Sequence, residues 1–573
     1  MNSPDFPRLA GMTKSAGRSR RILFLAVGYL LSLVLRLPAL LFAPRGFFYD
    51  TDELVMTLRS LDRFLGVPAV GLAWPGSTLS LLSLPGFLAD FLVASHFPTK
   101  FTQGLSLFAR YLSHAYADPR HSVLLMRWTV ALVSSLCPLL AYYVGAKLSK
   151  SHLMGFACAL LVSFQPTFYQ YSVMATGDAV SITLGFAAVL CLLRQTDLHS
   201  ATLAGFLFSG ALAAKITVAS LILLPLLLIL VGGSLVSVRE RAASLLRFCG
   251  SLIVGFMLWC PYVWTDPVRL AKSVLGNVTK PGSAPSLKVF LLLWSDAMGM
   301  TFSVLTLLAL GLGIRLILSR QHTRLVAASL AALIAILTPL FFHATRAYPR
   351  YFLPIMPCVL ILLAAGFRIF DSERALVGRW RLPALALMLL AGLTMCGETC
   401  ARELSLRGPD ELASAANVIQ GLPKRSTLFL PQEAILTFGV PLSQRACQEM
   451  LEHARQYLES EDRVINFAEV RGIPSLAAEV FVWSFNEEEQ AAYRRAAAVC
   501  TFESWGFSNV VFYYPPYDPR RLDTERTSVA TMDLGTAIQA MQRTNDGAIL
   551  VPFAVMSLGK PLWSGKRWHW YRR

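Results

Sequence analysis

Long apolar runs recur through the first 400 residues of this 573-residue chain, and they limit the possible folds more than any other feature. Each run is about 17–25 residues long, and a helix of that length crosses a hydrocarbon core of roughly 30 Å. The chain as a whole is 55% apolar and only 15% charged. The sequence therefore predicts a polytopic α-helical membrane protein.

About eleven transmembrane helices are predicted from these runs, each bounded by charges or by Pro, Gly and polar clusters. The stretch from Ala201 to Val236 is apolar except for Lys215. As one helix it would be roughly 54 Å long, nearly twice the core, so a break near Lys215 is predicted. The predicted spans are 22–43, 123–146, 152–171, 177–194, 201–215, 217–236, 245–264, 298–318, 325–344, 351–370 and 382–398.

The charges are divided unevenly along the chain and predict its orientation. Residues 401–573 hold 19 Lys and Arg and 20 Asp and Glu, so the first 400 residues hold the remaining 33 and 15. The basic residues lie in short turns and in the segment 1–21 rather than on one face, which argues against a nucleic-acid partner. Under the positive-inside rule the amino terminus is cytoplasmic, and an odd number of spans places the carboxyl-terminal part outside a plasma or inner membrane.

Two long segments lie outside the predicted spans and divide the chain into regions. The transmembrane domain is expected over 22–400, with a first outer loop (44–122) that contains helices lying along the interface. Residues 401–573 alternate apolar strands with helical stretches and predict a soluble α/β domain, whose Cys447 and Cys500 would pair only in an oxidising compartment. Its strands are expected at Thr427–Leu430, Val464–Phe467, Val480–Trp483, Val510–Tyr513 and Ile549–Phe553.

Three carboxylates, Asp50, Asp52 and Glu53, lie within four positions just beyond the first span. Clustered carboxylates near a low-dielectric boundary raise one another's pKa, as a general base or a cation site requires. The alternative is a solvated acidic turn. Together with Asp178, the two aspartates offer hard oxygen ligands that suit Mg²⁺ or Mn²⁺, but the ligand set is incomplete and no metal is assigned.

Asp178 and Lys215 are charged residues at the ends of predicted spans on the same side as the acidic cluster. A carboxylate is favoured at a helix amino terminus by the dipole, which gives Asp178 a purely structural interpretation beside a functional one. Both side chains are expected to reduce the cost of burial by snorkelling to the interface.

Basic and phenolic side chains gather on the predicted outer side, where they would form a rim around the acids. Arg346, Arg350 and Tyr351 enter a late span, and Arg269 follows the seventh. The candidates for binding a phosphate and stabilising its charge are Arg269, Arg346, Arg350 and Lys215, because Arg forks hold phosphate bidentately. The alternative is that the arginines and tyrosines of this late segment are ordinary interfacial anchors. An acidic centre with a basic rim indicates transfer from a phosphate leaving group.

Over residues 20–370 the sequence resembles the GT-C class of membrane glycosyltransferases, particularly the bacterial relatives of protein O-mannosyltransferases and of the enzymes that add aminoarabinose to lipid A. The features that carry this resemblance are Asp52-Glu53, Arg127, Asp178, Ala214-Lys215 and the run Arg350–Pro357. The resemblance implies a polyprenyl- or dolichyl-phosphate sugar donor, inversion at the anomeric carbon, and Asp52 as the base that deprotonates the acceptor. The resemblance implies that Glu53 would then orient or bind a substrate.

The expected function is thus an inverting glycosyltransferase on the outer membrane face, with a glycan, lipid or protein acceptor. Asp50 is a second aspartate beside Asp52, which leaves the identity of the base open. The alternative function is a multi-span transporter or flippase, but such folds tend to show repeated halves and mid-membrane polar residues. A non-catalytic assembly protein is a further alternative.

Overall fold

The computed structural model describes residues 25–41, 76–94, 119–194, 197–231, 237–265, 287–320, 323–342, 349–368, 381–406, 426–431, 510–514, 532–544, 546–551, 561–564 and 569–572, with isolated positions such as Glu53 between them. These residues fall into two compact units. The first lies within 1–41, 74–82 and 126–404, and the second within 42–73, 83–125 and 405–573.

Helices occupy almost all of the described residues before 407. They are α1 (25–34), α2 (Leu37–Leu41), α3 (Ser77–Ala94), α4 (Pro119–Ser134), α5 (Cys137–Ser149), α6 (His152–Ser163), α7 (Pro166–Tyr171), α8 (Asp178–Arg194), α9 (Leu198–Ala214), a first 3-10 helix (Ile216–Ile222), α10 (Leu223–Val231), α11 (Val238–Trp259), α12 (Tyr262–Thr265), α13 (Leu287–Leu318), α14 (Thr323–Phe342), a second 3-10 helix (Pro349–Ile355), α15 (Met356–Phe367) and α16 (Arg381–Leu406).

The chain is a multi-span membrane protein. Six of the described helical stretches are long and apolar enough to cross a bilayer, and six shorter apolar helices accompany them. Each of the eleven predicted intervals contains helix, while the number of crossings and the side on which each end lies stay predictions. The predicted break near Lys215 is confirmed, because α9 ends at Ala214 and Lys215 is extended (φ −159°, ψ 127°).

Several predicted spans are interrupted where the sequence indicated continuous helix, the first of them at Leu35 and Arg36, between α1 and α2. Residues 135–136 separate α4 from α5, and Phe164 and Gln165 separate α6 from α7. Helix α13 begins eleven residues before the predicted 298 and breaks at Gly299, whose φ is 69°. Glycine suits this conformation because an L side chain there is strained.

One helix forms the buried centre of the first unit. In the stretch Pro349–Phe367, which comprises the second 3-10 helix and α15, 94% of the most apolar 18-residue segment is buried, whereas the corresponding share in α11 is 17%. Helix α15 packs on α5, α6, α13 and α14. At the periphery, α9 and α11 approach closely, because a Cβ at Gly205 would meet the Phe248 carbonyl oxygen at 2.3 Å. The centre of the unit is therefore sequestered and its outer helices are left to face lipid.

The described part of the second unit includes a mixed six-stranded sheet and one helix. The elements are β1 (Thr427–Pro431), β2 (Val510–Tyr514), β3 (Met532–Asp533), α17 (Leu534–Arg543), β4 (Gly547–Val551), β5 (Trp563–Ser564) and β6 (His569–Arg572). The order of strands in the sheet is β3-β2-β1-β4-β6-β5, and β1 is parallel to both β2 and β4. Strands β1, β2 and β4 lie at three of the five predicted positions, and helix α17 packs on the parallel strands. The remaining predicted strands, and both Cys447 and Cys500, lie outside the described residues.

Candidate active site

A short turn between α7 and α8, together with the residues that flank it, contacts three buried cationic side chains, Arg36, Lys215 and Arg350. Pro166 is the first residue of α7, and the Gln165 side chain caps it by accepting from the Phe168 amide. The helix ends at Tyr171, and α8 begins at Asp178. All residues from Tyr171 to Thr183 are buried. Polar groups carried by this turn must therefore find partners inside the protein.

Asp178 and Lys215 form an ion pair inside the protein. The Lys215 ammonium nitrogen lies 3.6 Å from Oδ2 of Asp178, and the two side chains are 0% and 2% exposed, respectively. The expectation that both snorkel to the interface was therefore wrong. Helix α9 ends at Ala214, and Lys215 has an extended backbone where it pairs with Asp178. A buried charge is tolerable when it is paired in this way.

Gly177 lets the two charged segments approach each other. A Cβ at this position would lie 2.3 Å from the carbonyl oxygen of Ala214. The contact is with backbone, so it cannot be relieved by a side-chain rotation. Gly177 and Ala214 thus place Asp178 and Lys215 side by side.

We expect Gly177→Ala to lower the stability of the protein by about 1–3 kcal/mol, because the turn must move away from Ala214 and separate the ion pair. Thermal unfolding of the purified protein in detergent measures this change. Gly311→Ala is the matched control, since a Cβ at Gly311 meets no atom within 4 Å. Equal unfolding temperatures for the parent and Gly177→Ala would contradict the expectation.

Arg350 lies on the second 3-10 helix and is 4% exposed. Its guanidinium carbon is 5.7 Å from the centroid of the Tyr171 ring and 5.8 Å from that of Tyr351. The second 3-10 helix packs on α7, α8 and the first 3-10 helix, which begins directly after Lys215. Arg350 therefore belongs to the same neighbourhood as the ion pair, and cation–π contacts orient its fork.

Arg36 is a buried charged residue that sequence reasoning missed. It lies at the junction of α1 and α2 and is fully buried. Its Nε donates to Oγ of Ser172 at 2.8 Å, and Nη1 donates to the carbonyl oxygen and Oγ of Ser32, both at 2.7 Å. A lone arginine in the middle of an apolar run was the feature that could have indicated it.

The other candidate residues are placed differently. Asp50, Asp52, Arg269 and Arg346 lie outside the described residues. Glu53 is buried, and it belongs to the second compact unit. Arg127 is 5% exposed, and Tyr351 is half-buried beneath Arg350. Within the described part of the chain, no group of three His, Cys, Asp or Glu side chains could hold a metal ion.

No curated protein sequence matches the chain. The structure of ArnT from Cupriavidus metallidurans in the apo state is 12% identical, covers 97% of this chain and 98% of that chain, and has a TM-score of 0.45. The same protein bound to undecaprenyl phosphate has 11% identity, the same coverage and a TM-score of 0.36.

The oligosaccharyltransferase of Archaeoglobus fulgidus in complex with Zn and sulfate is 11% identical, covers 72% of this chain and 61% of that chain, and has a TM-score of 0.34. Residues 103–246 match the sequence model of the dolichyl-phosphate-mannose-protein mannosyltransferase family. The matched stretch contains Arg127, Asp178 and Lys215. The resemblance to the GT-C class of membrane glycosyltransferases is therefore confirmed.

Proposed function

We propose that this chain is an inverting glycosyltransferase that moves a sugar from a polyprenyl- or dolichyl-phosphate carrier to an acceptor on the outer face of its membrane. The observation that carries this proposal is the match of residues 103–246 to the mannosyltransferase family, with the buried Asp178–Lys215 pair inside the matched stretch. The acceptor is a glycan, lipid or protein hydroxyl or amine.

The proposed reaction needs one base and a cationic site for the leaving group. Asp52, or else Asp50, takes the proton from the acceptor hydroxyl or amine, and the acceptor oxygen or nitrogen attacks the anomeric carbon of the donor sugar. The bond between that carbon and the phosphate oxygen breaks, and the carrier phosphate leaves with the electron pair. Glu53 orients the acceptor. No step requires an oxidant or a cofactor, and a divalent cation on the aspartates would only assist the leaving phosphate.

Arg350 is the described residue best suited to the leaving phosphate. Its guanidinium is oriented by two phenol rings, and Arg binds phosphate oxygens through two parallel hydrogen bonds. The charge of Lys215 is already balanced by Asp178, which gives this pair the role of holding the turn beside Arg350. Arg269 and Arg346 complete the proposed rim.

The proposal is tested by incubating purified protein in vesicles with a radiolabelled polyprenyl-phosphate sugar and an envelope extract as acceptor. We expect label in a new glycosidic product, and none when a nucleotide sugar replaces the lipid-linked donor. A transporter or flippase would instead move labelled donor between leaflets without forming a new bond. Label that remains entirely in the donor would overturn the proposal.

Arg350→Lys is expected to lower kcat about tenfold and to raise the KM for the lipid-linked donor, because a lysine keeps the charge but loses the bidentate fork that holds the phosphate before and while it leaves. Initial rates at varied donor concentration measure both constants. Arg315→Lys is the matched control, since Arg315 is an exposed residue on α13. Unchanged kcat and KM in Arg350→Lys would remove Arg350 from the phosphate site.

The same proposal includes an orientation and a domain arrangement. The segment 1–21 is cytoplasmic, residues 22–400 form the membrane domain, and residues 401–573 form an extracytoplasmic domain. Protease added outside intact cells is expected to cleave within 401–573 and to leave the amino terminus uncut. Cleavage only after the membrane is permeabilised would reverse the topology.

A further inference from the structure

Arg36 lies where the first membrane helix is interrupted. The Arg36 amide donates to the carbonyl oxygen of Leu33, and the helical pattern resumes when the Leu40 amide donates to the carbonyl oxygen of Arg36. Pro38 follows two residues later and cannot donate, which favours the interruption here. The side chain is fully buried, with the guanidinium carbon 5.9 Å from the centroid of the Phe168 ring.

A buried arginine without a counter-charge is expensive for a membrane helix. In the described part of the chain, none of the ion pairs includes Arg36. Burying a charge costs free energy, so the charge of Arg36 does not stabilise the fold by itself. What the guanidinium supplies is a rigid pair of donors directed at two different segments, Ser32 of its own helix and Ser172 of the turn.

Ser172 is held from three sides. Its Oγ accepts from Arg36 and donates to the carbonyl oxygen of Tyr169 at 2.7 Å. Its own carbonyl oxygen accepts from Oγ of Ser134 at 3.2 Å. The residue directly before it, Tyr171, contacts Arg350, and six residues after it Asp178 pairs with Lys215. The position of Ser172 thus sets the path of the chain between two contacts of the candidate site.

We propose that Arg36 is a positioning residue, which fixes the turn between Tyr171 and Asp178 through its hydrogen bond to Ser172 and so aligns Arg350 for the carrier phosphate. Its effect on catalysis rests on the proposed function, whereas its effect on the turn does not. Arg suits this role because two nitrogens of its rigid, planar fork, Nε and Nη1, donate to Ser172 and Ser32 at the same time, whereas a lysine offers one nitrogen on a flexible chain.

Four single variants and one double variant test the proposal, and the single variants are Arg36→Met, Arg36→Lys, Ser172→Ala and Ser32→Ala. We expect Ser172→Ala and Arg36→Met each to lower kcat about tenfold, because a small displacement of groups that bind the reacting atoms costs rate. Arg36→Lys should lower kcat less than Arg36→Met does, because it keeps one donor nitrogen. Ser32→Ala is the matched control, since Nη1 still donates a hydrogen bond to the backbone carbonyl oxygen of residue 32 and the hydrogen bond from Nε to Ser172 is unchanged. The double variant Arg36→Met/Ser172→Ala should be no slower than Arg36→Met alone.

Hydrogen–deuterium exchange of the purified protein separates this proposal from the proposed function, because it requires no activity. Peptides covering residues 168–182 should exchange faster in Arg36→Met and in Ser172→Ala than in the parent and Ser32→Ala, while peptides of α11 stay unchanged. Unaltered exchange in the turn would overturn the positioning role even if the protein transfers sugar. Equal losses of kcat in Ser32→Ala and Ser172→Ala, or losses that add in the double variant, would also overturn it.

Discussion

Lys215→Met is expected to lower the stability of the protein by about 3–5 kcal/mol, because it leaves the Asp178 carboxylate charged and buried without a partner. Both side chains are almost completely sequestered, so water cannot replace the lost ammonium group. Asp178→Asn should be destabilising for the reciprocal reason. Unfolding of the purified protein by increasing SDS, followed by tryptophan fluorescence, measures the loss. We expect sugar transfer to be lost with it.

The double variant Asp178→Asn/Lys215→Met should recover most of the stability, since neither charge then remains. Losses that simply add in the double variant would contradict a coupled pair. The pair Arg402–Asp296 provides a matched control, with the same 3.6 Å separation but side chains that are 26% and 56% exposed. Asp296→Asn is expected to cost less than about 1 kcal/mol, because exposed ion pairs contribute little.

Asp52→Asn is expected to reduce kcat by about 10²–10⁴-fold, the usual effect of removing a general base. Asp50→Asn is expected to have the smaller effect, unless Asp50 is the base, in which case the two results exchange. The transfer assay with lipid-linked donor at saturating concentration measures kcat directly. Because the asparagine side chain has the same size as the aspartate, each variant should unfold at the temperature of the parent.

Glu53→Gln is the control that separates the base from its neighbour. An orienting or binding role predicts a rise in KM for the acceptor with a smaller change in kcat. Full activity in both Asp52→Asn and Asp50→Asn would remove the acidic cluster from the chemistry. Addition of EDTA, followed by Mg²⁺ or Mn²⁺, tests whether a cation on these aspartates contributes.

The positions of most helices were predictable because bilayer thickness limits them directly. A run of apolar residues must form a helix in lipid, where every backbone group needs an internal partner. The same length limit predicted the break at Lys215, which the structure has. The parallel strands β1, β2 and β4 were also visible in the sequence, as short runs of branched and aromatic residues.

The break in α13 could not be predicted in this way, because it depends on contacts that are distant in sequence. The Ala297 carbonyl oxygen accepts from Nε2 of Gln165 at 2.7 Å, and Oε1 of Glu398 accepts from the Thr301 amide at 3.2 Å. These partners satisfy backbone groups that a continuous helix would have used itself. A hydropathy average over the same stretch shows only apolar helix.

The candidate site was also predictable from the sequence only in part. The amino-acid sequence shows that charges are rare in the membrane domain, and it pointed to Asp178, Lys215 and Arg350 because charged residues in apolar surroundings are costly and commonly functional. The partners of these residues came from the fold: Asp178 pairs with Lys215, Arg350 lies over Tyr171, and Arg36 bonds to Ser172. Residue type and spacing fix which groups must find partners, whereas the choice of partner depends on how closely two backbones approach, as at Gly177 and Ala214.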